Sequence, residues 1–130
     1  MAFNRFGGRL LYIGIIMSMN KAQSAFTYDI SLLIQYVRSL GWSCRLEWAY
    51  RDATTQAELV KRGLSKTLKS KHIDRLACDF TFFAPSGSPT WEKESLQRFG
   101  DYWESLSEFN EWGGNWESFV DTPHFQRNYK

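Results

Sequence analysis

This chain has little of several things. Two cysteines in 130 residues, Cys44 and Cys78, cannot supply a disulfide framework. Cys78, between Ala77 and Asp79 in an apolar run, reads as a small buried hydrophobe in a reducing compartment. Net charge is nearly absent: 16 basic against 14 acidic residues leave +2, too little to argue for nucleic acid as a partner. One modest basic cluster, Lys61, Arg62, Lys66, Lys69 and Lys71, reads as a solvated loop face, with weak attraction to an anionic polymer as its sharper reading. Long hydrophobic runs are missing as well. The apolar stretch from Leu10 to Met17 is too short to cross a bilayer, so no stable membrane insertion is expected. No internal repeat, low-complexity tract or linker interrupts the chain.

Residues 1–19 read as a leader. Arg5 and Arg9 precede the apolar run as in a signal peptide, but Gln23 occupies the wrong position for a cut after Ala25. A non-structural leader, with Met17 or Met19 as the natural start, is preferred over an export signal. Residues 20–130 then form a single domain, large enough to bury roughly two thirds of its unfolded surface.

Aromatic residues are plentiful, with six Trp and ten Phe, which fits a folded chain with a packed core. Phe26, Ile30, Leu33, Ile34, Val37 and Leu40 repeat at helical spacing, with Ser24 as N-cap and Gly41 as the stop. Trp42–Tyr50 reads as a strand. Thr55-Gln56-Ala57-Glu58 has the form of a capping box and starts a short helix ending at Gly63. Leu64–Lys71 reads as loop, 73–83 as strand and 84–89 as turn. A second long helix follows a Thr90 cap, with Leu96, Phe99, Trp103 and Leu106 as its buried stripe. Trp112–Trp116 is a glycine-centred loop and Phe119–Phe125 a final strand. The fold class is α+β, a small antiparallel sheet flanked by helices.

The chemistry gathers around the only two histidines, His72 and His124. His72 precedes Asp79 by seven residues, an odd spacing that puts the two on opposite faces of a continuous strand. They can meet one metal only if the segment turns, with His72 at a loop mouth. Asp121 stands three residues before His124, across Pro123, where a carboxylate can approach a water near the imidazole. Two imidazoles, one carboxylate ligand and one free carboxylate make up the inventory of a catalytic zinc site. The bland alternative is a pair of satisfied histidines beside a turn-forming aspartate.

The ordered set Ser70-x-His72, Asp79, Trp112-Gly113-Gly114 and Asp121-x-x-His124-Phe125 resembles the zinc D-Ala-D-Ala carboxypeptidase and L-alanyl-D-glutamate endopeptidase family. Its small members include phage endolysins. The resemblance covers roughly residues 26–125 and implies a Hedgehog/DD-peptidase-like single domain. It implies that His72, Asp79 and His124 bind Zn2+, with Asp121 as the acidic general base. Tyr50-Arg51, followed by Gln56, matches the family's Tyr-Arg…Gln segment, which implies that Arg51 stabilises the oxyanion. Ser70 is expected at the substrate. Many members carry Gly where Arg75 stands, so Arg75 is expected as a cation near the metal that binds a substrate carboxylate. Trp112 and Gly113 are expected to line the cleft, against the plainer reading of a tight turn anchored by buried tryptophans. Gln126 stands where many relatives carry Glu, which weakens a contact behind the metal.

The implied function is hydrolysis of peptidoglycan stem peptides, at the L-Ala-D-Glu bond in preference to D-Ala-D-Ala, by a monomeric phage or prophage lysin. It would wait in the host bacterial cytoplasm and act at the cell wall. The alternative is a non-catalytic wall-binding or virion structural domain of the same fold. Asp121 and Arg51 argue against that, since binding alone needs neither.

Overall fold

The computed structural model describes residues 7–128, with side chains from Ser18 onward. Helix α1 spans Gly7–Ser39, strand β1 Ser43–Leu46 and helix α2 Ala53–Lys61. Strands β2 (Ala77–Phe83) and β3 (Pro89–Thr90) precede helix α3 (Lys93–Leu106). Strand β4 (Asn110–Trp112), a 3-10 turn at Gly113–Asn115 and strand β5 (His124–Arg127) complete the chain. The sheet is antiparallel throughout, in the order β1-β2-β5-β4, with β3 paired to β2. This is the α+β class expected from the sequence. No described helix is long and apolar enough to cross a membrane.

The period-two alternation of the strands divides the sheet into a core face and a working face. Cys78, Phe80 and Phe82 of β2 join Phe125 of β5 and Trp112 of β4 in the core. Asp79, His124, Gln126 and Glu111 take the intervening positions. Register fixes this division: Cys78 lies opposite Phe125, and Asp79 opposite His124. The core face is covered by α3, through Leu96, Phe99 and Trp103, and by α1, through Ala22, Phe26, Leu33 and Val37. Burying such side chains contributes about 1.5–3 kcal/mol each.

Several boundaries differ from the sequence reading. Ser24 lies mid-helix rather than at an N-cap, because α1 is continuous from Gly7. The reading of residues 1–19 as a leader falls largely on a segment outside the described side chains. The buried stripe of α1 passes through Asp29, leaving Ile34 and Leu40 exposed. Asp29 is tolerated there because Asn110 Nδ2 donates to its carboxylate at 3.1 Å. The cap of α2 is Asp52, whose Oδ1 accepts from the Thr55 amide at 2.6 Å. Helix α3 starts after Glu92 rather than from Thr90, since Thr90 is held in β3 opposite Phe82. The strand expected over 73–83 begins only at Ala77, and that expected over 119–125 begins at His124 and runs on to Arg127. Gly41 does end α1, at φ 83°, and Gly63 follows α2 at φ 75°.

Candidate active site

The working face of the sheet opens into a cleft of about 680 Å³. Its centre is Asp79. One carboxylate oxygen lies 3.2 Å from His72 Nε2 and the other 3.0 Å from His124 Nδ1. His124 reaches it as a direct cross-strand partner. His72 reaches it because the chain turns over residues 70–76, held by amide bonds from Ile73 to Ser70, Arg75 to His72 and Leu76 to Lys71. Arg75 takes φ 59° there, the left-handed conformation that lets so short a segment reverse. The turn resolves the odd spacing between His72 and Asp79. Ser70, itself buried, steadies it by accepting the His72 amide at Oγ, 3.1 Å away.

Each imidazole is held from behind. His72 Nδ1 donates to the Ala49 carbonyl at 2.8 Å, which turns Nε2 toward Asp79. His124 Nε2 donates to Gln126 Oε1 at 2.8 Å, leaving Nδ1 facing Asp79. Gln126 therefore supplies the contact that its amide was expected to weaken. One ligand atom from each of His72, Asp79 and His124 can be chosen so that all lie within 4.8 Å of one another. The closest approaches match neighbouring corners of a zinc tetrahedron, roughly 3.3 Å apart for bonds near 2.0–2.1 Å. The donor set fits zinc: two oriented imidazoles and a carboxylate, each imidazole fixed by a partner on its far nitrogen.

Asp79 also sits opposite a bulge. The Glu47 amide donates to the Asp79 carbonyl at 2.9 Å, while the Asp79 amide donates to the Trp48 carbonyl at 2.8 Å. Two residues thus oppose one, which bends the chain after β1 and carries Trp48 and Arg51 toward the cleft. Arg51 is buried. Its Nη1 donates to Gln56 Oε1 at 2.8 Å and its Nη2 lies 3.6 Å from Asp79. The guanidinium stacks 4.7 Å over the Trp48 ring, and its Nε has no acceptor among the described residues. Gln56, wholly buried, ties α2 to the far wall of the cleft by donating to Ser65 Oγ and the Thr67 carbonyl.

Asp121 lines the same cleft. Burial pushes its carboxyl up from the ordinary aspartate range, and the positive charge of His124, His72 and Arg51 offsets this only in part. Asp79 goes the other way. Burial opposes its ionisation, but hydrogen bonds from His124 and His72 and their charge hold it down at about 2. His124 is penalised by burial yet shifted upward by its bond to Asp79. Two carboxylates in one cleft are thereby pushed apart in acidity.

Gly113 positions Asp121. Its carbonyl accepts the Asp121 amide at 3.0 Å, and a Cβ at Gly113 would stand 3.1 Å from both Asp121 Cβ and His124 Cβ. The glycine lets backbone pass where a side chain cannot. Trp112 corrects the expectation that it lines the cleft. Its indole is fully buried, packed flat between Gly100 and Gly114, and donates to the Thr122 carbonyl at 2.8 Å. It anchors the turn from the core side, where the alternation of β4 puts it. Arg75 is corrected too: it is exposed and stacks 4.0 Å over Tyr50, and it does not line the cleft. The cations that do line the far wall are Lys66, Lys69 and Lys71, from the cluster read as a solvated face. Trp48, Glu111 and Asn128 escaped the sequence reading. The alternation of His124, Gln126 and Asn128 was the signal available for the last of these.

Known proteins resemble this chain in sequence and in fold. A family model described as D-alanyl-D-alanine carboxypeptidase matches residues 63–127. The L-alanyl-D-glutamate peptidase of Listeria phage A118 is 34% identical over 122 residues, which are 92% of this chain and 42% of that protein. The chain thus spans less than half the length of this curated relative. The crystal structure of the Serratia marcescens L-Ala D-Glu endopeptidase ChiX aligns with a TM-score of 0.66 and 27% identity, covering 80% of this chain and 78% of that one. With a family match over half its length, joined to a shared fold, the chain belongs to the M15 peptidases of the D-alanyl-D-alanine carboxypeptidase type.

Proposed function

We propose that this chain is a zinc-dependent peptidase of bacterial peptidoglycan stem peptides, cleaving L-Ala-D-Glu in preference to D-Ala-D-Ala. The observation that carries the reading is the convergence of His72, Asp79 and His124 in a cleft that Arg51 and Asp121 also line. His72, Asp79 and His124 would hold the metal. Zinc in that place would supply a water of lowered pKa and a Lewis acid for the scissile carbonyl. Asp121 takes the proton from the attacking water and passes it to the leaving amine. Its raised pKa suits both halves of that task. Arg51 meets the negative charge that grows on the carbonyl oxygen, prepositioned by Gln56 and Trp48.

The preference for L-Ala-D-Glu rests on the two endopeptidase relatives and on the wall formed by Lys66, Lys69 and Lys71. A D-glutamyl residue and the acidic stem beyond it carry carboxylates for those ammonium groups to meet. The chain acts as a monomer at the cell wall, as a lysin made in the host cytoplasm, and residues 1–19 serve as a leader to this domain. The test combines zinc analysis with mass spectrometry of digested peptidoglycan for wild type, Asp121→Asn and His124→Ala. Wild type binds about one zinc and releases L-Ala-terminated fragments. Asp121→Asn keeps zinc and loses turnover by about 10²–10⁴-fold, and His124→Ala loses both. A zinc-loaded wild type that binds muropeptides and never cleaves them sinks the reading in favour of a binding domain.

A further inference from the structure

We infer that Glu104, which does not line the cleft, is a positioning residue for Asp121. Its carboxylate clamps both ends of the turn that contains Gly113, and Gly113 holds Asp121. The catalytic consequence rests on the reading of Asp121 as the base, but the clamp itself does not.

Glu104 stands where it works against its own helix. It falls in the last turn of α3, which carries no basic residue. A negative charge there meets the negative end of the helix dipole. The compensation lies outside the helix. β4 is the edge strand of the sheet, and its Trp112 amide donates to Glu104 Oε2 at 2.9 Å. Three residues on, Asn115 Nδ2 lies 3.2 Å from each Glu104 oxygen. Asn115 Oδ1 accepts from Gln97 Nε2 at 3.1 Å, and that nitrogen also bonds Asp101 Oδ1 at 2.9 Å. Gln97, Asp101 and Glu104 follow helical spacing, so α3 presents them as one strip. Gly100 lets the strand come this close, since a Cβ there would run into the Trp112 ring.

The polarity of the clamp is fixed. A carboxylate can only accept, so Asn115 turns its NH2 to Glu104 and its oxygen to Gln97. Residues 112 and 115 are thereby tied to one side chain, and the 3-10 turn between them is held at both ends. The Gly113 carbonyl leaves that turn already oriented. It accepts the Trp116 amide at 3.2 Å and the Asp121 amide at 3.0 Å. Residues 117–123 form no helix or strand, so Asp121 is placed by bonds such as this one rather than by a ladder. His124, by contrast, is set by its register against Asp79. Glu104 therefore bears on the base and leaves the ligand set alone.

The test reads the backbone and the chemistry separately. Glu104→Ala removes all three bonds without weakening α3, because alanine is the better helix former and puts no charge against the dipole. In hydrogen exchange, which needs no activity, the Asp121 and Trp116 amides are expected to exchange about 10- to 100-fold faster, the weight of one bond to a charged group. The Arg127 amide, bonded to the Leu76 carbonyl at the far end of β5, is expected to keep its rate. In the zinc-loaded enzyme kcat is expected to fall by about 10- to 100-fold, with KM and zinc affinity unchanged. Glu104→Gln sets two NH2 groups against each other, and Asn115→Asp sets two carboxylates together. The double variant Glu104→Gln/Asn115→Asp reverses the polarity of the contact. It is expected to recover the exchange rates and the kcat that either single change loses, and it decides the matter if Glu104→Ala does not fold. Folded Glu104→Ala protein with wild-type exchange at Asp121 and Trp116, or with zinc affinity lost in step with kcat, overturns the inference. So does a double variant no better than its single parents. A wild type that binds zinc and never cleaves stem peptide overturns the reading of Asp121 as base, and the exchange rates still decide the clamp.

Discussion

Replacing Gly113 by alanine is expected to damage turnover far more than stability. The added Cβ would stand 3.1 Å from Asp121 Cβ and from His124 Cβ, and closer still to the Asp121 carbonyl oxygen. Ordinary van der Waals contact begins near 3.4 Å, so the strand-side loop must retreat by on the order of 0.5–1 Å. Gly113 cannot yield inward instead, because the buried Trp112 precedes it and Gly114 packs flat against the same indole. The loop is also tied to Gly113 by the bond from the Asp121 amide to its carbonyl, so the displacement falls on Asp121 itself. Overpacking of this kind costs about 1–3 kcal/mol of stability. A misplacement of roughly 1 Å at a reacting group costs about 10²-fold in rate. Thermal unfolding and kcat/KM on a soluble stem peptide, measured on the same zinc-loaded preparation, separate the two effects. A folded Gly113→Ala protein with wild-type kcat/KM would refute the reasoning, because the close approach would then have no bearing on where Asp121 stands.

Other outcomes follow from the same geometry. Arg51→Lys is expected to lower kcat by about 10²–10³-fold with KM little changed, because an ammonium cannot bond Gln56, stack on Trp48 and still face the substrate oxygen. A loss confined to KM counts against the oxyanion role. Glutamate at both Lys66 and Lys69 is expected to raise KM several-fold and to flatten the salt dependence of kcat/KM, while an unchanged salt dependence removes these lysines from substrate attraction. In metal-free protein, Asp79, held at about 2 against an ordinary value of 3.8, stabilises the fold fully above about pH 4. That contribution, about 2 kcal/mol, disappears as the pH falls toward 2. The gap in Tm between wild type and Asp79→Asn should therefore close over that range, and a gap that persists at pH 2 contradicts it. His124, shifted upward, gives its share in full below about 6.5 and loses it as the pH climbs through its folded value.

What could be read from the chain beforehand was the chemistry carried by residue type and order. His72, Asp79, Asp121, His124 and Arg51 do meet in one cleft, since a turn between His72 and Asp79 was the only way for the first two to share a centre. What could not be read depended on neighbours distant in sequence. Trp112 looked like a cleft wall because an exposed and a buried tryptophan are the same letter. Its burial is settled by Gly100, twelve residues upstream on α3, and by the face that β4 presents. Asp52 and Thr55 both make good caps, and only the backbone shows that Asp52 accepts the bond. Asp29 on a buried helical stripe looked out of place until Asn110 arrived from β4. The lysines at 66 and 69 are solvent-facing as read, and that they also edge the cleft depends on Gln56 tying their loop to α2.

The direct pairing of Asp79 with His124 across the sheet has a further consequence. The separation of these two side chains cannot drift by small amounts, because strand pairing changes only in whole-residue steps. A slip by one would bring Phe125 or Pro123 opposite Asp79 and turn apolar rings to water in the same movement. The site therefore has no half-assembled form within a folded sheet. Any molecule that has closed its core correctly has also set this pair, and quality control of the fold is at once quality control of the chemistry.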